Sequence, residues 1–467
     1  MKGRMQKISA VNDSCPQKNR TESEGYVGVQ TFIGITENNL TEVHFTKDDL
    51  LERILSPANL NKAYKQVLSN GGSGGVDKME TEELLPFLKL HKDKLVTSLM
   101  AGNYHPNPVR RVEIPKDNGK KRQLGIPTVV DRLIQQAISQ VLSPIYEREF
   151  SNNSFGFRAK RSAHKALRTA QNYINAGNKY AVDLDLEKFF DTVNQSKLIE
   201  ILSRRIKDGR VISLIHKYLR AGVIIGHKFE KSSRGVPQGG PLSPLLSNIM
   251  LNELDKELEH RGHPFVRYAD DCMIFCKSKR SASRTMKHII CFIEETLFLR
   301  VNREKTKAGY VRGMRFLGYS FYNIKGGFRL SVHPKSYAKL KARLKELTGR
   351  SNGMGYDKRK YELHQFIRGW IEYFKLADMQ NHLKRIDQWL RRRLRMCIWK
   401  YWKKIKTRSD NLIRCGIDKV RALSFSNARK SYWRMARCQI LKEAISNENL
   451  SKAGYPCLMD YYRKVAS

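Results

Sequence analysis

Apolar residues change period several times along this chain, and each change predicts an element. Val182, Leu184 and Leu186 alternate with Asp183 and Asp185, the two-residue repeat of a strand with one apolar and one acidic face. Phe265-Val266 and Met273-Ile274-Phe275 are short apolar runs on either side of Tyr268-Ala269-Asp270-Asp271, which predicts a hairpin with two adjacent carboxylates at its tip. Asn118-Gly119 is a tight-turn signal and predicts a second ribbon, with Lys116 and Arg122 on its adjacent strands. Helical spacing starts after Thr46-Lys-Asp-Asp, with Leu50, Leu51, Ile54 and Leu55, and recurs in Ser243 to Asp255, where Leu246, Ile249, Met250 and Leu254 share a face. Three amphipathic helices follow at Lys335 to Leu347, Tyr361 to Leu376 and Asn381 to about Lys404, the first and third of them basic and the second carrying Phe366, Trp370, Tyr373 and Phe374. Gly71-Gly-Ser-Gly-Gly75 interrupts the first helical region as a loop.

Charge narrows the class of partner. The 87 Lys plus Arg against 45 Asp plus Glu leave a formal net charge of +42, far more than solubility needs, so a polyanion is the expected partner. At 467 residues the chain should hold two to four domains. No apolar run of about twenty residues suggests a membrane span, and the N-terminus has no apolar signal core. The eight cysteines are scattered, with no Cys-x-x-Cys, so neither a zinc module nor a disulfide framework is indicated and a reducing compartment is expected. Residues 1–45 are near neutral, polar and without periodicity, and are expected to form a flexible extension.

Candidate chemistry lies in the acids. A strand with two carboxylates on one face makes a poor solubility device but a good wall for a metal site, because crowded carboxylates need a hard cation to neutralise them. If Asp183 or Asp185 meets Asp270 and Asp271, three carboxylates converge, enough to hold two magnesium ions for in-line displacement at phosphorus. Periodicity does not choose between Asp183 and Asp185.

Several motifs occur in a fixed order: Ile114-Pro-Lys116 through Arg122-Gln-Leu-Gly-Ile-Pro127, Ser154-Phe-Gly-Phe-Arg158, the Asp185 strand running into Phe189-Phe190-Asp191, Gly235-Val-Pro-Gln-Gly-Gly-Pro-Leu-Ser-Pro244, Tyr268-Ala-Asp-Asp271 and Phe316-Leu-Gly-Tyr319. Downstream lies His364-Gln-Phe-Ile-Arg-Gly-Trp-Ile-Glu-Tyr-Phe374. From about residue 50 onward the chain resembles the reverse transcriptase/maturase family encoded by group II introns. That resemblance implies an α+β right-hand polymerase, with fingers and palm over 46–330, a helical thumb/maturase domain over 331–408 and a small basic DNA-binding domain over 409–467.

The resemblance also implies roles. It selects Asp185 over Asp183 and makes Asp185, Asp270 and Asp271 the catalytic acids and the ligands of two Mg2+ ions. Lys116 and Arg122 would grip the triphosphate, Phe190 would exclude a ribose 2′-hydroxyl, and Gln238 would position the nucleotide and templating base. Arg158, Lys384, Arg391, Arg392, Arg393, Arg395, Lys403 and Lys404 would contact RNA or DNA; between Lys384 and Arg408 eleven basic residues stand against the single acid Asp387. The implied partners are the parent intron RNA, an RNA template/DNA primer duplex, target DNA and dNTPs, in a ribonucleoprotein of the bacterial cytoplasm. Many relatives carry a C-terminal zinc-supported endonuclease; nothing here resembles it, so a nascent or exposed DNA strand is the expected primer. A splicing-only maturase and a domesticated or diversity-generating reverse transcriptase are the rival readings.

Overall fold

A computed structural model of the protein describes residues 49–466 apart from 116–118, 120 and 227, together with the backbone of strands Gln30–Thr36 and Asn39–Phe45. Those two strands lie in the segment expected as an extension, and they pair as a two-stranded antiparallel sheet. The rest of that segment lies outside the described residues.

The centre of the molecule is a four-stranded antiparallel sheet in the order Lys307–Tyr310, Tyr180–Leu184, Asp271–Cys276, Phe265–Tyr268. Because side chains alternate across a strand, this sheet feeds two cores. Val182, Leu184, Ile274 and Cys276 pack into one core with helices Val129–Glu147 and Ser243–His260. Ala181, Met273, Phe275 and Val266 pack into the other, which continues through helix Ala163–Asn175 into the C-terminal half. Helix Ser243–His260 runs five residues beyond its expected end. It is buried on nearly every side, with Asn248, Asn252 and Asp255 as well as Leu246, Ile249, Met250 and Leu254 inside.

The expected ribbon is present as strands Val109–Pro115 and Lys121–Ile126, with Ile114 opposite Arg122. It extends into a four-stranded sheet through Val223–Ile225 and Lys228–Glu230. A three-stranded sheet, Arg315–Phe316, Tyr319–Ile324 and Gly327–Val332, joins the palm to the thumb. The thumb helices are Pro334–Leu347, Tyr356–Phe374 and Gln380–Tyr401; the second starts five residues before its expected position.

Six short helices follow, from Ile405–Arg414 to Leu458–Ala466, and they share one core with the thumb: Leu441, Leu450 and Leu458 pack with Leu383, Leu390 and Trp399. Helix Gln380–Tyr401 therefore lies between two layers, which corrects the expectation that Arg391, Arg392, Arg393 and Arg395 face phosphates. Arg391 and Arg395 are buried. Arg395 donates from Nε to Ile445 O at 2.7 Å and from Nη2 to Asn447 Oδ1 at 2.9 Å, and Arg391 Nη2 reaches Ser451 Oγ at 3.3 Å. Arg393 donates to Thr348 Oγ1 and to the carbonyls of Lys345 and Thr348. Arg392 stacks 3.8 Å over the Trp433 ring and donates to Trp433 O. A guanidinium with several fixed donors ties together backbone carbonyls left over at helix ends, a task a lysine ammonium does less well. Lys384, Lys403 and Lys404 remain exposed.

Asp387, the one acid in this basic run, caps the last helix across space. It accepts from Leu458 N at 2.9 Å, Met459 N at 3.0 Å and Cys457 Sγ at 3.3 Å. Asp387→Ala leaves those donors unmet and should cost about 3 kcal/mol. Hydrogen exchange should then show helix Leu458–Ala466 losing protection before the thumb does; equal protection in the variant would refute this anchoring role.

Candidate active site

The acidic hairpin forms as expected, with Tyr268 paired to Asp271 and a two-residue turn of Ala269 and Asp270. Ala269 has φ +57°, and a positive φ at the first turn position normally selects glycine. The backbone of this turn has a close neighbour that must lack a side chain: a Cβ on Gly156 would lie 2.2 Å from Ala269 N. Gly156 belongs to Ser154-Phe-Gly-Phe-Arg158, which lies against this hairpin through Phe155 N donating to Arg267 O at 2.8 Å. Phe157 next to it is exposed with φ +58°.

Asp183 lies opposite Met273, and Asp185 follows one residue beyond the strand end, so both acids open into the cleft that Asp271 also lines. Desolvation, then repulsion from Asp185, pushes the Asp183 carboxyl up to about 6. Desolvation, then Asp270, Asp183 and Asp185, pushes Asp271 up to about 6. Asp271 reaches solvent at the cleft mouth while protein and like charge crowd its other sides. Asp185 takes Lys305 Nζ at 2.9 Å, and its backbone is held by Thr306 Oγ1 and by Asn302 N. That ion pair is half-exposed and therefore weak enough for another cation to displace.

Among the described residues, no three acidic, histidine or cysteine side chains already converge on one point as metal ligands. The donor set nevertheless fits a hard divalent cation: all oxygen and crowded, with burial and then like charge disfavouring the ionised forms of Asp183 and Asp271. Sequence patterning missed the Asn302–Thr306 loop, because nothing in its composition separates it from an ordinary polar turn.

From the acids a cleft of about 1370 Å³ runs to the thumb, with Lys307, Arg312, Arg315, Lys335 and Lys339 on one stretch and Phe366, Trp370, Tyr373 and Phe374 on another. The turn Phe316-Leu317-Gly318-Tyr319 edges it. Both central residues have positive φ, and the turn is pinned by Tyr373 Oη to Leu317 O at 2.9 Å and Ser336 Oγ to Gly318 O at 2.8 Å. The thumb aromatics thus pack on one another, with Trp370 and Phe374 centroids 4.6 Å apart, and also line this cleft.

The other expected site residues divide. Phe190 is half-buried, edge-on to Phe189 at 5.3 Å, and its carbonyl accepts from Val236 N at 2.7 Å. A Cβ on Gly235 would lie 2.7 Å from that same carbonyl, so the Gly235-Val-Pro-Gln motif packs directly on Phe190. Gln238 O accepts from Gly125 N at 2.7 Å, which docks the motif on the ribbon carrying Arg122, itself exposed. Lys116 lies outside the described residues. Arg158 is a correction: it is buried, with its donors on Glu147 and on the carbonyls of Ser151 and Ser154, so it braces the fold and offers no free donor face to a phosphate.

Residues 114–321 match the family model for reverse transcriptase (RNA-dependent DNA polymerase), and 337–416 match that for the group II intron maturase-specific domain. The chain is 36% identical over 311 residues to Protein YkfC of Escherichia coli (strain K12), covering 58% of this chain and 82% of that protein. It is 40% identical over 222 residues to group II intron-encoded protein LtrA of Lactococcus lactis subsp. cremoris, covering 47% of this chain and 36% of that protein. It is 28% identical over 345 residues to the putative COX1/OXI3 intron 2 protein of Saccharomyces cerevisiae, covering 61% and 40%. The chain therefore spans less than half the length of the two intron proteins. No helix among the described residues is long and apolar enough to cross a membrane.

Asp183 and Asp271 bind protons more tightly folded than unfolded, so metal-free stability should fall as pH rises from 3.8 through about 6. Asp183→Asn removes part of that cost. In EDTA at pH 7.5 it should melt a few degrees above the parent, with the gain shrinking toward pH 4. An equal gain at both pH values in thermal melts would contradict the shift.

Proposed function

The chain belongs to the group II intron-encoded reverse transcriptase/maturase family, and from that premise we propose an RNA-directed DNA polymerase that also binds its parent intron RNA, assists its splicing and supports its mobility by target-primed reverse transcription. The observation that carries the reading is the crowding of Asp183, Asp185 and Asp271, with Asp270 beside them, at one edge of the palm sheet, the first three lining a cleft continuous with a basic and aromatic thumb.

Asp185, Asp270 and Asp271 would hold two Mg2+ ions, with Asp183 as a supporting acid. When bound, the ions supply activation of a primer 3′-hydroxyl and stabilisation of the pyrophosphate leaving group. The protein's own share is positional. The turn at Ala269 presents Asp270 and Asp271 together, and Lys305 neutralises Asp185 until a stronger cation takes it. Phe190 closes the space beside the sugar of the incoming dNTP, and Gln238, held against Gly125, positions the base pair being formed. Arg122 grips the triphosphate from the ribbon, with Lys116 as the second cation. The cleft cations Arg312, Arg315 and Lys335 follow the backbone of the RNA template/DNA primer duplex, while Lys384, Lys403 and Lys404 remain the exposed candidates for intron RNA or target DNA. The working form is a ribonucleoprotein with intron RNA, in the bacterial cytoplasm.

Asp270→Ala should abolish primer extension on a structured RNA template while leaving binding and splicing of the intron RNA near the parent level. A parent protein that promotes splicing but makes no DNA would establish the splicing-only reading instead. Phe190→Ala should raise ribonucleotide incorporation relative to deoxynucleotide by one to two orders of magnitude in kcat/KM, measured by single-nucleotide extension. Unchanged discrimination would remove Phe190 from the sugar-selecting role.

A further inference from the structure

Granted the metal role proposed for Asp270 and Asp271, we infer that Arg267, Asp255 and Asn248 form a buried positioning clamp that sets the conformation of the acidic turn. Arg267 and Asp255 are fully buried, and they pair through two parallel bonds, Nε to Oδ1 at 2.7 Å and Nη2 to Oδ2 at 2.5 Å. The remaining guanidinium nitrogen, Nη1, donates to Asn248 Oδ1 at 3.0 Å and to Ala269 O at 3.1 Å. Asn248 in turn donates from Nδ2 to Gly156 O at 2.8 Å. The backbone of Arg267 is fixed on its other side by Asn153 O and Phe155 N.

A buried ion pair is a poor source of stability, since apolar side chains of similar volume do as well or better. What apolar groups lack is direction. Here the direction is toward the carbonyl of Ala269, the residue with the unfavourable positive φ immediately before Asp270. Gly156 closes the turn from the opposite side, because any side chain there would strike Ala269 N. Asn248 touches both jaws, the arginine and the glycine carbonyl. Two separate sequence motifs, Ser154-Phe-Gly and the Tyr268 turn, therefore meet on one helix, Ser243–His260, and the placement of the acids depends on that meeting.

Removing Arg267 would strand the buried Asp255 charge and threaten folding, so the informative variant is Asn248→Ala. Asn252→Ala is its matched control. Asn252 lies one turn further along the same helix, is buried, and bonds Ser151 N and Glu149 O with no contact to the turn. Full-length parent, both variants and Asp270→Ala are titrated with Mn2+ by electron paramagnetic resonance and melted by circular dichroism, and the Mg2+ dependence of primer extension is recorded.

Asn248→Ala should weaken Mn2+ binding about tenfold and raise the Mg2+ needed for half-maximal extension by the same factor, as outer-sphere contacts to metal ligands do. Saturating Mg2+ should restore most of its kcat. Asn252→Ala should lose comparable melting temperature with both metal readouts at the parent level. Parent-like Mn2+ affinity in folded Asn248→Ala, or equal weakening in Asn252→Ala, overturns the clamp while leaving the polymerase reading intact. Parent-like affinity in Asp270→Ala defeats the metal-site reading itself, and the clamp with it.

Discussion

Asp183 sits opposite Met273 and Leu184 opposite Cys272, so the strand leading to Asp185 and the strand starting at Asp271 run out at the same edge of the palm sheet. This register is the constraint on which the site depends. A slip of one residue would exchange the faces of the inner strand, sending Asp183 into the core of Val182 and Leu184, so the hydrophobic cores on both sides enforce it. Burial of apolar residues on two faces thus fixes the meeting of four acids that would otherwise repel one another. Burial first and the neighbouring carboxylates second raise the proton affinity of Asp183 and Asp271, while Lys305 pairs with Asp185.

The large positive charge divides by residue type. Several arginines act inside the molecule. Arg110 and Arg132 bind the carbonyls of the Gly71–Gly75 loop, Arg158 the Ser151–Ser154 loop, and Arg393 and Arg395 the ends of neighbouring helices. No described lysine is buried, and most stay at the surface, where a hydrated point charge can meet phosphate without a fixed geometry, although Lys217 Nζ donates to the carbonyls of Gly102 and Tyr104. A basic stretch in sequence is therefore no map of a nucleic-acid surface: between residues 384 and 408 the lysines at 384, 403 and 404 are exposed while two of the arginines are buried.

Elements with a strict period were legible from residues alone. The acidic strand, the hairpin and the three thumb helices depend on local alternation or on one apolar stripe, and they stand within a few residues of where patterning puts them. What patterning could not reach are contacts made across the chain. Arg158 and Arg395 look the same in sequence as surface cations, and only the placement of Glu147 or Ile445 O shows that they are spent internally. Helix Ser243–His260 shows the same limit. Its buried Asn248 and Asp255 break the apolar stripe, and their partners lie on segments about 90 residues before and 12 after.

The thumb and the residues after it share a single core, which bears on whether polymerisation and RNA binding can be separated. His364, in the segment that resembles the maturase signature, bonds Tyr461 Oη at 3.1 Å and Gly454 O at 2.9 Å, and Tyr462 Oη bonds Ala377 O at 2.9 Å. Phe374, one helix face away, packs at 5.1 Å on Tyr319, the residue that ends the turn at the edge of the cleft. The last helices and the turn at the cleft edge therefore both rest on helix Tyr356–Phe374. Substitutions in the shared core should move both proposed activities together, whereas on the proposed function changes confined to exposed lysines or to the acids would act on one side of that partition. A loss of splicing caused by a core substitution in this half accordingly says little about RNA contact until the polymerase is shown to be intact.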